Sequence, residues 1–385
     1  MKKKRLRKKA RNNLVILLLS VLAIISGFYV QRKKNYVNEY VNVTYKTVNT
    51  EVVNKASLVM VGDALIHMPI NRTYKTNNGY DFKGIFKYIK PIVQEYDLAY
   101  YNQETILGGT GITISGYPQF NSPQEVGDAF VDAGFNLVSL ATNHSMDNYY
   151  RTGGKTITNS VNYWKKHADT IIAAGSYLSQ EDRDKVVVKE INGIKYGLLS
   201  YTEQTNGLPV PSGKSYLVNI YNKDKVKKDI EAYKKEVDVL MVAMHWGSEY
   251  THTPPSSVKE KANYLASLGV DIIIGCHPHV IQPMTYIGDT LVIYSLGNFV
   301  SNQDTIAKLT GLMASANIVK RTYHGKTKVS IENATAEFIY TRKSEKYLVY
   351  PYSKLNNNIL SNYKSQFEKF KKIVKGNDKI TVKEI

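Results

Sequence analysis

The chain has 385 residues, 43% hydrophobic and 22% charged, with a formal net charge of +18. That length and apolar fraction exclude global disorder and allow one large domain or two small ones. A single cysteine, Cys276, excludes an intramolecular disulfide, so the fold must be held by its core, with or without metal.

The positive charge invites a nucleic-acid partner, but its distribution argues against one. Eight Lys/Arg precede the apolar run near the start and three follow it before residue 35, with no Asp or Glu among them. Subtracting those eleven from +18 leaves +7 for everything after residue 34, which favours an anionic ligand only mildly. No nucleic-acid partner is expected.

In chain order, residues 1–13 form a basic segment. Leu14–Val30 is an uncharged run just long enough to cross a bilayer as a helix. The stretch Ser26-Gly27-Phe28-Tyr29 lacks the small-x-small pattern of a cleavage site, which predicts a retained anchor. The heavier basic cluster lies before the run, which predicts a cytoplasmic N-terminus and a single-pass cell-membrane protein with its main domain outside. Residues 31–55 are polar and read as a tether.

From Ala56 onward, short β-branched runs alternate with helical stretches. Strands are expected at Leu58–Val61, Leu98–Tyr101, Leu137–Leu140, Thr170–Ala173, Lys195–Ser200, Val239–Met244, Asp271–Ile274 and Leu291–Tyr294. Helices are expected at Pro123–Ala133, Lys155–His167, Lys223–Lys235 and Ser256–Leu268. This alternation predicts an α/β fold with a mostly parallel, covered sheet. Beyond about residue 310, Ala314–Lys320 and Lys328–Tyr340 alternate like antiparallel strands. The domain is therefore bounded at 56–340, and 341–385 reads as a Lys-rich C-terminal extension with an amphipathic helix.

The informative residues stand at the strand ends. They are Asp63, Asn102-Gln103-Glu104, Asn143-His144 with Asp147 following, Glu203, His245-Trp246-Gly247, His277-Pro278-His279 and Asn298. In an open α/β sheet, ligands bind outside the carboxyl ends of the strands. Asp63, Glu104, Asn143, His144, His245, His277 and His279 are thus expected to converge. Their mixed carboxylate, amide and imidazole set suits one or two divalent ions of Mn, Zn or Fe, and one carboxylate could bridge a pair.

At these residues the chain resembles the bacterial capsule synthesis family typified by the poly-γ-glutamate protein CapA, a branch related to calcineurin-like metallophosphoesterases. The resembling strings are Val61-Gly62-Asp63, Asn102-Gln103-Glu104, Ala141-Thr142-Asn143-His144-Ser145-Met146-Asp147, His245-Trp246-Gly247-Ser248-Glu249-Tyr250, Gly275-Cys276-His277-Pro278-His279 and Ser295-Leu296-Gly297-Asn298-Phe299, in family order across roughly residues 56–304. The resemblance implies a layered α/β/β/α metallophosphoesterase-like sandwich behind a single N-terminal transmembrane helix. It implies a role in making, exporting or tethering a poly-γ-glutamate capsule, with membrane polymer-synthase subunits as partners and an anionic polymer or envelope substrate.

By the same resemblance, Asp63, Glu104, Asn143, His245, His277 and His279 are metal ligands, with Glu104 bridging. His144 is the candidate proton donor or substrate contact. Asp147 is a further catalytic candidate, and Asp147 and Glu249 orient ligands. His67, Glu203 and Asn298 complete the group of supporting or substrate-contacting residues. The broader phosphoesterase pattern begins Asp-x-His, whereas Asp63 is followed by Ala64 and Leu65, and the nearest imidazole is His67. Two functional classes fit: an extracellular metal-dependent hydrolase, or a non-catalytic assembly and export factor beside the synthase.

Overall fold

The computed structural model describes residues 2–48 and 51–385. One helix, Lys2–Val48, runs through the basic segment, the apolar run and most of the expected tether. Within it, Arg11–Lys34 is the one stretch among the described residues long and apolar enough to cross a membrane. Residues 31–48 of the expected tether are helical, since they contain neither proline nor glycine to stop a helix that has already started. The chain is extended again from Val52, and tether positions 49 and 50 lie outside the described residues.

The main compact unit comprises Asn54–Lys320 and Val329–Ile385. Apart from a two-stranded ribbon, Lys75–Thr76 with Gly79–Tyr80, its strands divide between two sheets, not the single sheet that alternation alone suggested. The nine-stranded sheet runs in the order Tyr347–Pro351, Lys326–Lys343, Thr310–Tyr323, Val52–Ala64, Leu98–Asn102, Leu137–Ser139, Ile172–Ala174. Asn298–Val300 also pairs with Val52–Ala64, and Thr381–Val382 with Lys326–Lys343. The six-stranded sheet runs Met284–Ile287, Thr290–Ile293, Ile272–Cys276, Val239–His245, Ile194–Thr202, Lys189–Ile191.

Side-chain alternation builds the layers. In the first sheet Leu58, Met60, Leu98, Tyr100 and Leu137 point inward, and in the second so do Leu198, Met241, Ala243, Ile272 and Ile274; together they form the core between the sheets. The alternate residues Val59, Val61, Ala99, Tyr101 and Val138 face Val126, Ala129 and Phe130 of the helix Glu125–Ala133, with Tyr163 and Trp164 of Lys155–Lys165. On the far side, Leu240, Val242, Met244 and Ile273 pack against Val226 and Ile230 of Lys223–Tyr233, and against Val258, Ala262 and Leu265 of Ser256–Ser267. Helix, sheet, sheet, helix is the layered sandwich that the resemblance implied.

The C-terminal boundary also moves. Tyr347–Pro351 pairs antiparallel with Lys326–Lys343, and Phe367, Phe370 and Val374 of the helix Tyr363–Val374 enter the inter-sheet core. Residues 341–385 therefore complete the fold and are no appendage. The Lys content of the helix Tyr363–Val374 marks only its outer face, while Phe367, Phe370 and Val374, three and four residues apart, are buried.

Candidate metal centre

Period-two geometry places the site between the sheets at their carboxyl ends. His245 follows Met241 and Ala243 on the inner face, and Asn102 follows Leu98 and Tyr100. Asp63 would point outward by the same count, in line with Val59 and Val61. A bulge corrects this: three residues from Met60 to Asp63 oppose two from Tyr100 to Asn102, and the register shifts again after Asp63. The bulge is possible because residue 62 is glycine; a Cβ there would lie 1.8 Å from the Gly297 carbonyl oxygen.

The convergence is close and dry. Asp63, Glu104, Asn143, His245, His277 and His279 are all buried. Three sets of side chains each offer ligand atoms within 4.8 Å of one another: Asp63–Glu104–His279, Glu104–His245–His277 and Glu249–His277–His279. Glu104 belongs to the first two. His245 Nε2 lies 2.9 Å from Asn143 Oδ1, which adds an amide oxygen to the second set.

The polar atoms left over fit a cation. Both Glu104 carboxylate oxygens, Asn102 Oδ1 and His277 Nδ1 are buried without hydrogen-bond partners. The nearest imidazoles stand 3.6 Å (His279) and 3.8 Å (His245) from Glu104 Oε1, beyond hydrogen-bonding distance. Several orphaned acceptors in one dry place are costly unless an ion satisfies them. His277 and His279 also adopt positive φ, 95° and 57°. Non-glycine residues seldom hold that conformation except where a site requires it.

Electrostatics agree. Burial, reinforced by His277, holds His245 well below its ordinary value, and burial with the neighbouring His279 lowers His277 to about 4. Both rings are therefore neutral at pH 7, and His277 Nδ1 is left without a partner. Burial alone would lower His279 too, but Glu104 and then Asp63 outweigh it and raise it to about 9. The buried Glu104–His279 pair thus keeps its proton to unusually high pH. A raised histidine contributes stability that is complete below its unfolded value of 6.5 and lost as pH rises through about 9. Chelator-treated protein is accordingly expected to melt at progressively lower temperature from pH 6.5 to 9. Saturating Mn²⁺ should abolish that trend, because the ion replaces the proton. Thermal melts with and without Mn²⁺ across this range check it.

Around the cluster, Asn298 donates from Nδ2 to Gln303 Oε1 (2.7 Å) and the Lys308 carbonyl (2.8 Å), which turns its Oδ1 to His279 Nδ1 at 3.0 Å. That contact fixes the ring and leaves Nε2 facing Glu104. Glu203 supports the site from outside it: Oε2 accepts the Gly247 N–H at 2.8 Å, and Lys261 pairs with Oε1 at 2.9 Å. Glu249 is exposed on the loop after His245.

A cavity of about 700 Å³ opens onto the centre, lined among others by His67, Asn143, His144, Asp147, Glu249 and His279. His144 Nδ1 lies 2.7 Å from Asp147 Oδ2, which also accepts the Phe120 N–H at 2.6 Å. His67 reaches the cavity but joins none of the three ligand sets. It precedes the helix Met68–Thr73 and turns Nδ1 to the Leu65 carbonyl at 3.0 Å. Burial, opposed by that hydrogen bond, lowers it to about 4.

Two contributors were given no role from the sequence, Asn102 being named only within a strand-end string. Asn102 donates to Asp63 Oδ1 at 2.7 Å and lies 3.3 Å from His245 Nδ1. Its place at a strand end, two residues before Glu104, was the available signal. Asn206 places Nδ2 3.4 Å from His144 Nε2 from an irregular loop, where nothing in the sequence marks it.

Comparison with known proteins supplies the family. Residues 57–303 match the model of the bacterial capsule synthesis protein PGA_cap. The chain is 27% identical over 272 residues to the PGA biosynthesis protein CapA of Bacillus subtilis, covering 67% of this chain and 66% of that one, just under two thirds of its length. It is 25% identical over 315 residues to the capsule biosynthesis protein CapA of Bacillus anthracis, covering 78% of this chain and 71% of that one. Among solved structures, the calcineurin-like phosphoesterase YfkN from Bacillus subtilis aligns at 13% identity and TM-score 0.46, over 83% of this chain and 98% of that one. The NAD nucleotidase NadN of Haemophilus influenzae aligns at 10% identity and TM-score 0.39, over 86% of this chain and 57% of that one. With the family model matched over well more than half its length, the chain belongs to the bacterial capsule synthesis protein family PGA_cap, with the CapA proteins as its relatives.

Proposed function

We propose that the chain is a membrane-anchored, extracytoplasmic component of poly-γ-glutamate capsule synthesis or export, and that its inter-sheet site is a two-ion hydrolytic centre. The observation that carries the catalytic part is Glu104: one buried carboxylate, with no hydrogen-bond partner, shared by two ligand sets. Asp63, Glu104 and His279 would hold one Mn, Zn or Fe ion, and Glu104, His245, His277 and Asn143 the other. Ions bound there supply a Lewis acid and a water acidic enough to ionise near neutral pH.

The chain's own groups do the rest. Asp147 accepts from His144 Nδ1 and so directs Nε2 to the cavity, where the imidazolium form of His144 would give its Nε2 proton to the leaving group of a phosphoester or amide and return to the neutral ring. Asn206 and Asn143 steady the same edge. The apolar helix Arg11–Lys34, with its flanking basic residues, supports the anchor, the cytoplasmic N-terminus and a position beside membrane synthase subunits.

The test is turnover by the purified full chain in detergent. Mn²⁺- or Zn²⁺-loaded protein should hydrolyse a model phosphodiester or a γ-glutamyl polymer, and chelated protein should not. A well-folded, metal-loaded chain inert to both substrates overturns the catalytic reading. A non-catalytic assembly role would then take its place, in line with the position of His67 outside the ligand sets.

A further inference from the structure

The two ligand sets that share Glu104 are unequal. One has Glu104, His245, His277 and the Asn143 amide oxygen; the other has only Asp63, Glu104 and His279. Both Asp63 oxygens are partly engaged, Oδ1 by the Asn102 amide and Oδ2 by the His277 N–H at 3.2 Å. The histidine that an Asp-x-His pattern would provide is absent, and His67 does not substitute for it. The His-Pro-His turn is therefore short of a donor on its open side.

Glu249 stands at that opening. Its carboxylate, with His277 and His279, forms the third group of ligand atoms within 4.8 Å. The loop carrying it is pinned at both ends. Gly247 N–H donates to Glu203, which Lys261 holds in turn, and Tyr250 N–H donates to the Pro278 carbonyl at 2.8 Å. The second bond fastens the loop directly to the turn between the two histidines. His277 is only 7% exposed, and its Nδ1 lacks any partner. An acidic side chain on a free surface loop explains neither the double fastening nor the orphaned nitrogen. Tyr250, the next residue, lies under Lys308 Nζ at 4.1 Å from its ring centroid, which keeps that amine engaged beside the cavity mouth.

We propose that Glu249 is a direct metal ligand: with His277 and His279 it closes the solvent side of the centre and supplies the donor that the missing Asp-x-His histidine leaves wanting. The inference rests on the two-ion reading, and the experiment separates the two. Full chain in detergent, stripped and titrated with Mn²⁺ alone, is compared with Glu249→Gln, Glu249→Asp and Glu104→Gln. Ion affinity is read by calorimetry, and Co²⁺-substituted samples are read by visible absorption, which reports the ligand set without any turnover.

Glu249→Gln should weaken one ion by about 100-fold or more, beyond the usual loss for a group that only orients a ligand. It should also change the Co²⁺ spectrum, while Glu249→Asp restores most of both. Unchanged affinity and an unchanged Co²⁺ spectrum in Glu249→Gln, with Glu104→Gln still impaired, overturn the Glu249 assignment and leave the two-ion centre standing. A native chain that binds no Mn²⁺ overturns both. Glu249 is exposed, so the substitution leaves the folded core untouched.

Discussion

Glu104→Gln is expected to abolish metal-dependent stabilisation of the folded chain. The substitution keeps the shape of the side chain and removes the charge shared by two ligand sets. Glu104 is 1% exposed, and burial pushes its carboxyl well above the usual carboxylate range, partly opposed by His279. A group so placed tolerates ionisation only when cations face it. Ions present at 100 times their dissociation constant stabilise the native state by about 2.7 kcal/mol per site. The native chain should therefore gain several degrees in Tm on adding Mn²⁺, and Glu104→Gln should gain almost none. Without metal, the variant's melting temperature should no longer fall between pH 6.5 and 9, because the charge that raises His279 is gone. Thermal melts with and without Mn²⁺ read both parts.

His144→Ala should lower turnover by about 10²–10⁴-fold, the usual contribution of a positioned proton donor, while both ions remain bound. His144 is 5% exposed, directs Nδ1 to Asp147 and edges against Phe120 with ring centroids 4.8 Å apart. That packing fixes the ring without help from a metal. Burial raises Asp147, and its hydrogen bond with His144 offsets part of the rise. Asp147→Asn should therefore lower turnover less than His144→Ala, since it misorients the ring without removing it. Parallel kcat and Mn²⁺-affinity measurements separate these positions from the ligands. A loss of bound metal in His144→Ala would move that residue into the ligand set.

Much of this was legible from strand ends. Parallel strands bring their carboxyl ends to one edge of a sheet, so Glu104, His245, His277 and His279, at or just beyond strand ends, could be placed together from the sequence. Residue period does not say which strands are neighbours, and the division into two sheets was visible only through the family resemblance. Asp63 shows a second limit. Its inward aim depends on a bulge, and the bulge on the contact of Gly62 with Gly297, two residues far apart in sequence.

The short edge strands Lys189–Ile191, Met284–Ile287 and Tyr347–Pro351 went unseen because they carry few residues and pair antiparallel at the sheet margins. The Lys-rich stretch 355–375 showed an amphipathic helix, but not that its buried stripe of Phe367, Phe370 and Val374 belongs to the main core. Asn206 lay on a loop, where no periodicity exists to read.

Anomalous diffraction at the Mn edge, from crystals of the Mn²⁺-soaked native chain, tests the central claim most directly. Two peaks are predicted between the sheets, both beside the Glu104 carboxylate that two ligand sets share. Absence of any peak there, or peaks confined to surface carboxylates away from Glu104, would contradict it.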